Sequence, residues 1–247
     1  MKYCTILGVN VAVTNMTETV RYIERNLNNI KGNYICVSNV HTTVMAFESS
    51  EYKAIQNSAV LALPDGGPLS SLSKLKGFSE AQRVTGPDLM GEIFKISEDK
   101  GYTHFFYGST DETLKLLQSN LKLNYPKLKI SGMYLPPFRP LTIEEDNEII
   151  QKINQLKPDF VWVGLGAPKQ EKWMYEHNGI INSVMIGVGA GFDYYTDKLK
   201  RAPKWMQKAN LEWSYRLIQE PKRLFRRYIT TNSKFIYYIT KEMICFR

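Results

Sequence analysis

Apolar residues along this chain fall into two alternating patterns. Short continuous apolar runs occur at Tyr34 to Ser38, Ala59 to Leu63, Thr103 to Tyr107, Lys129 to Met133, Phe160 to Gly164 and Val184 to Val188, and they read as strands of a sheet covered on both faces. Between them, apolar positions recur every three or four residues over Thr17 to Asn29, Thr42 to Asn57, Asp88 to Asp99, Asp111 to Leu123 and Ile143 to Gln155, with Thr110 and Thr142 placed to cap helix starts. Strand and helix in alternation predict parallel β/α construction with right-handed crossovers. Cys4 to Leu7 and Val9 to Val13, hinged at Gly8, read as an edge hairpin ahead of the first helix. From Pro203 onward strands cease and basic helical sequence begins, with Pro221 able to close one helix and open the next.

The expected fold class is therefore α/β: a Rossmann-like, mostly parallel sheet with flanking helices over residues 1–200, and a C-terminal helical appendage over 201–247. A length of 247 residues with 43% apolar and 12% aromatic content supplies a core, and 23% charged residues without biased tracts or repeats excludes disordered and fibrous classes. No uncharged apolar run reaches the roughly 18 to 20 residues of a spanning helix, and Met1 to Val13 lacks a signal-peptide core. A cytoplasmic location is expected. Cys4, Cys36 and Cys245 are scattered and odd in number, which argues against a disulfide framework or zinc knuckle.

Charge changes the picture when divided along the chain. Residues 198–247 hold thirteen Lys/Arg against three Glu, a local +10, so the remainder nets −2 of the total +8. Such asymmetry points to a body carrying the chemistry and a tail meeting substrate phosphates, a lipid surface or nucleic acid, with a solvated helical face as the plain alternative. Trp205, Trp213, Tyr215, Phe225, Tyr228, Phe235 and Tyr237 lie between the cations, as in a helix lying in a membrane interface.

In open α/β sheets ligands bind beyond the carboxyl ends of strands. Those ends carry Ser38-Asn39-Val40-His41, Pro64-Asp65-Gly66-Gly67, Gly164-Leu165-Gly166-Ala167-Pro168-Lys169-Gln170-Glu171 and Gly187-Val188-Gly189-Ala190-Gly191-Phe192-Asp193, while Arg83 and Arg201 lie in turn segments. Asp65, after a buried strand and beside a Gly-Gly pair, is the leading acid/base candidate. The turn at Gly166 runs into a helix whose first N–H groups, with Lys169 and Gln170, suit a phosphate. The turn at Gly189 departs from GxGxxG and opens no obvious helix, which weakens a dinucleotide reading. His41, His104 and His177 have no mutual ligand spacing, and His104 reads as a half-buried histidine with its polar groups satisfied. No Asp-x-Asp pair, P-loop or GxSxG elbow is present.

Taken in order, Asn39, Pro64-Asp65-Gly66, Arg83 with Gly86, Gly166 through Trp173, Gly187 through Asp193, Arg201-Ala202-Pro203 and Glu212-Trp213-Ser214-Tyr215-Arg216-Leu217 through Glu220-Pro221-Lys222-Arg223 resemble the WecG/TagA/CpsF glycosyltransferase family across nearly the whole chain. The resemblance implies an inverting, metal-independent, cofactor-free enzyme that moves a sugar from a UDP-sugar to a polyprenyl-diphosphate-linked sugar in cell-surface polysaccharide or teichoic-acid-type synthesis. It implies a peripheral position on the anionic inner face of the cell membrane and no nucleic-acid partner, and it is compatible with a homo-oligomer. Carried over by motif, Asp65 is the general base, and Asn39, Arg83, Gly166, Gln170, Gly189 and Asp193 line the sugar, diphosphate and nucleotide. Arg216, Arg223 and Arg226 or Arg227 reach a diphosphate from the appendage. Val37 stands where many members have Thr two residues before the Asn, so one polar contact to a sugar is absent.

An aspartate at its ordinary pKa of about 3.9 is ionised at neutrality, so Asp65 is expected to accept the acceptor proton without special tuning. Two other classes fit parts of the sequence: an NAD-type oxidoreductase, from the α/β rhythm and Gly189 turn, and a non-catalytic module binding anionic surfaces, from the tail.

Overall fold

The computed structural model describes residues 1–245. The chain forms two compact units. The first gathers Met1–Met16, Val37–Thr85 and the chain from Leu199 onward; the second is Thr17–Cys36 with Gly86–Lys198.

In the first unit, β1 (Lys2–Ile6) and β2 (Val9–Val13) pair antiparallel with Ile6 opposite Val9. The turn places Leu7 and Gly8 both at positive φ, the twist that suits a two-residue hairpin. The second unit opens with α1 (Met16–Ile30), which begins at the last residue of the first unit, and β3 (Tyr34–Ser38) is shared: its first three residues belong to the second unit and its last two to the first. Every residue of β3 is buried, as expected of a strand covered on both faces. The first unit continues with α2 (Val40–Glu48), α3 (Ser50–Ser58), β4 (Leu61–Pro64) and α4 (Gly67–Leu75). Its strands run β1-β2-β4, with the end of β3 beside β4, and β2 and β4 are parallel. The single helix expected over Thr42 to Asn57 is two, because Ser49 adopts extended backbone and its hydroxyl accepts a hydrogen bond from Tyr52 N, capping a new helix. The pattern had also hidden α4, whose first turn is Gly-Pro.

The second unit continues through α5 (Gly86–Lys100), β5 (Thr103–Gly108), α6 (Asp111–Asn124), β6 (Lys129–Tyr134), α7 (Ile143–Leu156), β7 (Phe160–Gly164), α8 (Lys169–Glu176), β8 (Val184–Gly187) and the one-turn α9 (Gly191–Tyr194). Its strands run β3-β8-β7-β5-β6, all parallel. Thr142 caps α7 in a reciprocal box with Glu145, as its sequence predicts. Phe94 is the hub of this core, with the rings of His104, Phe106, Tyr125, Trp162 and Tyr195 around it at 5.3–6.0 Å. His104 differs from the expected half-buried residue. It is fully buried, its Nδ1 accepts from Trp162 Nε1 at 3.0 Å, and its Nε2 has no partner. Burial pushes its pKa down to about 3, so the ring is neutral.

The chain then returns to the first unit as α10 (Lys204–Lys208), α11 (Glu212–Gln219) and α12 (Pro221–Cys245). Pro221 is the first residue of α12, where a missing N–H costs nothing. The last helix is part of a core: Phe235 and Ile239 are buried among Ile6, Val11, Val44, Tyr52 and Leu69. Polar ties support the packing, since Lys76 Nζ meets Glu242 at 2.7 Å and Lys234 Nζ meets Glu48 at 2.7 Å. Among the described residues no helix is long and apolar enough to cross a membrane.

Candidate active site

Asp65 follows the last residue of β4, and its position is fixed from the backbone outward. Its N–H donates to Ser38 O at 2.7 Å, which ties the loop to the end of β3, while Val84 N donates to Pro64 O at 2.9 Å and brings the Arg83 segment alongside. Gly66 has a φ of +96°, a conformation L side chains rarely adopt. A Cβ at Gly67 would overlap the Asn210 side chain, so only glycine lets the turn before α11 approach this loop so closely.

The charges around Asp65 come from distant parts of the sequence. Arg83 Nη1 donates to Glu212 Oε2 at 2.5 Å, and Arg201 Nη1 lies 3.3 Å from Glu212 Oε1. Burial pushes the Asp65 carboxyl up to about 6; Arg83, Arg216 and Arg201 pull against that rise and Glu212 adds to it. The expectation that Asp65 needs no tuning is thus revised. A part-buried carboxylate under the charge of three nearby arginines is mostly ionised at neutral pH yet more basic than a solvated aspartate.

Asn39 is the N-cap of α2. Its Oδ1 accepts from His41 N at 3.0 Å and Thr42 N at 3.2 Å, and Thr42 Oγ1 answers by accepting from Asn39 N at 2.9 Å. The side-chain carbonyl is therefore committed to the helix and the amide Nδ2 is the group left to donate to a ligand. Val37 is buried.

The appendage arginines divide. Arg223 Nη2 and Arg216 Nε both reach Glu220 Oε2, at 2.5 and 3.4 Å. Arg227 is half-buried, its Nε has no hydrogen-bond partner, and burial together with Arg216 and Arg223 pulls its pKa below the usual arginine value. Arg226 is exposed. His41, at the start of α2, has its pKa lowered by burial and by Arg227.

In the second unit Gln170, Gly166 and Gly189 come together, though not as their sequence suggested. Gln170 is buried, and its Oε1 accepts from Gly166 N at 3.2 Å and from Gly189 N at 2.9 Å, while its Nε2 donates to the buried Glu171 at 2.8 Å. The amide thus staples two glycine turns and occupies the N–H groups of Gly166 and Gly189. Any effect of Gln170 on a ligand is exerted through the shape of those turns. Asp193 is part-buried on α9, the short turn of helix that the sequence did not reveal. His177 is engaged by Trp173 O at 2.7 Å and by Asp146 at 3.1 Å. Among the described residues no group of three His, Cys, Asp or Glu side chains is arranged to hold a metal ion.

Two residues given no role by sequence, Glu212 and Arg201, are central here. The available signal was that Glu212 and Arg216 are four apart and share a face of one helix, in a tail with only three acidic residues.

Residues 4–247 match the glycosyl transferase WecG/TagA/CpsF family. Among curated proteins the chain is similar to the N-acetylglucosaminyldiphosphoundecaprenol N-acetyl-beta-D-mannosaminyltransferase of Bacillus subtilis (strain 168), with 30% identity over 221 residues, 89% of this chain and 84% of that protein. It is also similar to the protein of the same description in Staphylococcus aureus (strain MW2), with 32% identity over 225 residues, 90% of this chain and 86% of the relative. Matched over nearly its full length, this α/β chain belongs to the glycosyl transferase WecG/TagA/CpsF family and is a glycosyltransferase.

Proposed function

We propose that this enzyme transfers N-acetylmannosamine from its UDP-sugar to N-acetylglucosamine carried on a polyprenyl diphosphate, with inversion and without a metal ion. The observation that carries the reading is the Asp65 cluster: a part-buried carboxylate tied by its N–H to the end of β3, on which the charges of Arg83, Arg201 and Arg216 act, with Glu212 between Arg83 and Arg201. The sugar and acceptor follow the descriptions of the relatives.

In this mechanism the acceptor hydroxyl oxygen attacks the anomeric carbon and its proton passes to Asp65. The bond from that carbon to the diphosphate oxygen breaks, and UDP departs with the electron pair. Inversion of an α-linked nucleotide sugar gives the β product named for the relatives. A base with pKa near 6 is matched to this task, being mostly ionised at neutral pH and more basic than free aspartate. The charge growing on the leaving diphosphate is met by arginines in a partly desolvated site, where fixed cations act most strongly. Asn39 Nδ2 is a donor for a sugar oxygen, and Gly166, Gly189 and Asp193 serve the nucleotide side, with Gln170 shaping the first two.

The division at residue 200 is then one of role. Residues 201–247 contribute Arg201 and Arg216 to the Asp65 cluster and present an outer stripe to the membrane. Phe225, Ile229 and Ile236, spaced four and seven apart, are more than half exposed, with Lys222 and Arg226 beside them. This is the composition of a helix lying in an anionic interface, and it suits an acceptor whose lipid stays in the bilayer at the inner membrane face.

The test is nucleotide release across a panel of UDP-sugars with a diphosphate-linked N-acetylglucosamine acceptor on a short prenyl chain. Acceptor-dependent release of UDP from UDP-N-acetylmannosamine is expected. Release from no UDP-sugar in the panel would refute the reading.

A further inference from the structure

Glu212 is the first residue of α11, and its carboxylate is only 15% exposed, between Arg83 at 16% and Arg201 at 27%. A carboxylate joined to two guanidinium groups presents the same paired oxygen acceptors that a phosphate would present to them. Cations exceed anions in the cluster, with Arg83, Arg201, Arg216 and Arg223 against Asp65, Glu212 and Glu220. A second anion is therefore accommodated only by exchange or by neutralising the excess.

We propose that Glu212 is a built-in counter-ion that holds Arg83 and Arg201 while the enzyme is empty and yields them to the diphosphate of a substrate. The inference rests on the glycosyltransferase reading of the Asp65 cluster. A partly buried guanidinium group left without an anion is costly, and in the free enzyme Glu212 meets that of Arg83 at 2.5 Å. Both ends of α11 are anchored, by Asn210 against the Gly67 loop just ahead of it and by Gln219 donating to Lys200 O at 3.0 Å, so the exchange is assigned to the Glu212 side chain rather than to the helix. The ligand is a diphosphate, and both the donor and the lipid-linked acceptor carry one.

The experiment is calorimetric titration of the full chain with inorganic pyrophosphate, UDP and farnesyl diphosphate, for wild type, Glu212→Gln and Glu212→Asp. Glu212→Gln is expected to bind pyrophosphate about tenfold more tightly, about 1.4 kcal/mol at 25 °C. The organic diphosphate that shows the same gain identifies the source, and Glu212→Asp stays near wild type. A purely structural role for Glu212 predicts weaker binding, so unchanged or weakened pyrophosphate binding in Glu212→Gln overturns the proposal. Should that variant not fold, tryptophan emission of the wild type reports the exchange through the neighbouring Trp213. Pyrophosphate should change that emission, and the change should vanish in Trp213→Phe; no change in the wild type is equally fatal. A gain in pyrophosphate affinity without sugar transfer from any donor sinks the enzymatic reading and leaves the counter-ion intact. Transfer with no gain does the reverse.

Discussion

The pH dependence of turnover is the sharpest consequence of the Asp65 environment. With a pKa of about 6, the carboxyl is ionised in about 0.9 of molecules at pH 7 and about 0.09 at pH 5, so kcat/KM should fall about tenfold between them. An unperturbed aspartate with a pKa of about 3.9 remains about 0.9 ionised at pH 5 and predicts almost no loss over that range. The assay is initial-rate UDP release at constant ionic strength from pH 4.5 to 8, under conditions where kcat/KM reports the free enzyme. Asp65→Asn should lower turnover by roughly 10² to 10⁴ and abolish the acid limb. The same shift has a stability face with a definite sign. A carboxyl whose folded pKa is raised binds more protons in the native state between about pH 4 and 6, so stability falls as pH rises through that window and the cost is complete above it. About two pKa units set a ceiling of about 3 kcal/mol. Asp65→Asn should therefore unfold at higher temperature than wild type at pH 7 to 8, with the gap closing below pH 4. An acid limb near pH 4 in the wild type, or near-normal turnover in Asp65→Asn, would show that the base has been misassigned.

Arg83→Gln should weaken pyrophosphate binding and move the acid limb above pH 6, because the first cation opposing the desolvation of Asp65 is lost; calorimetry and the same pH series check both. Phe235→Ala should destabilise by about 3 to 5 kcal/mol in denaturant melts as a core truncation, whereas the exposed Phe225→Ser should stay within about 0.5 kcal/mol and instead reduce co-sedimentation with anionic vesicles. Transfer should persist at full rate in excess EDTA, since arginines supply the neutralising charge; loss of activity restored by magnesium or manganese would contradict that assignment.

The periodicities that made the sequence readable are those of backbone and burial. Runs such as Tyr34 to Ser38 and Phe160 to Gly164 are strands to the residue, because a strand covered on both faces leaves an unbroken apolar signature. The break at Ser49 was missed because a serine hydroxyl serves equally well within a helix and as the cap of a new one. Asp65, Arg83 and Arg216 could be picked out by type and place. The pairing of Glu212 with Arg83 spans 129 positions, and no local pattern encodes a contact of that separation. Gln170 shows the opposite case. Its sequence context suggested direct phosphate chemistry, yet its amide is spent on two backbone N–H groups, because Gly189, 19 residues beyond Gln170, meets the Gly166 turn only in the folded unit.

The first unit is assembled from three separated stretches of chain, and this has a consequence for biosynthesis. On the ribosome, Asp65 and Arg83 emerge early, then the whole of Gly86–Lys198 follows before Arg201, Glu212 and Arg216 appear. Until then the nascent first unit lacks the helix that fills its core at Phe235 and Ile239 as well as two of the three guanidinium groups around its aspartate. The intervening unit is all contiguous from Gly86 onward and is free to fold while synthesis continues. Assembly of the first unit is thus completed last, and on the proposed mechanism a prematurely terminated product holding the aspartate and all the glycine turns is expected to be inert toward activated sugars, which a nucleotide-release assay of such a truncation checks.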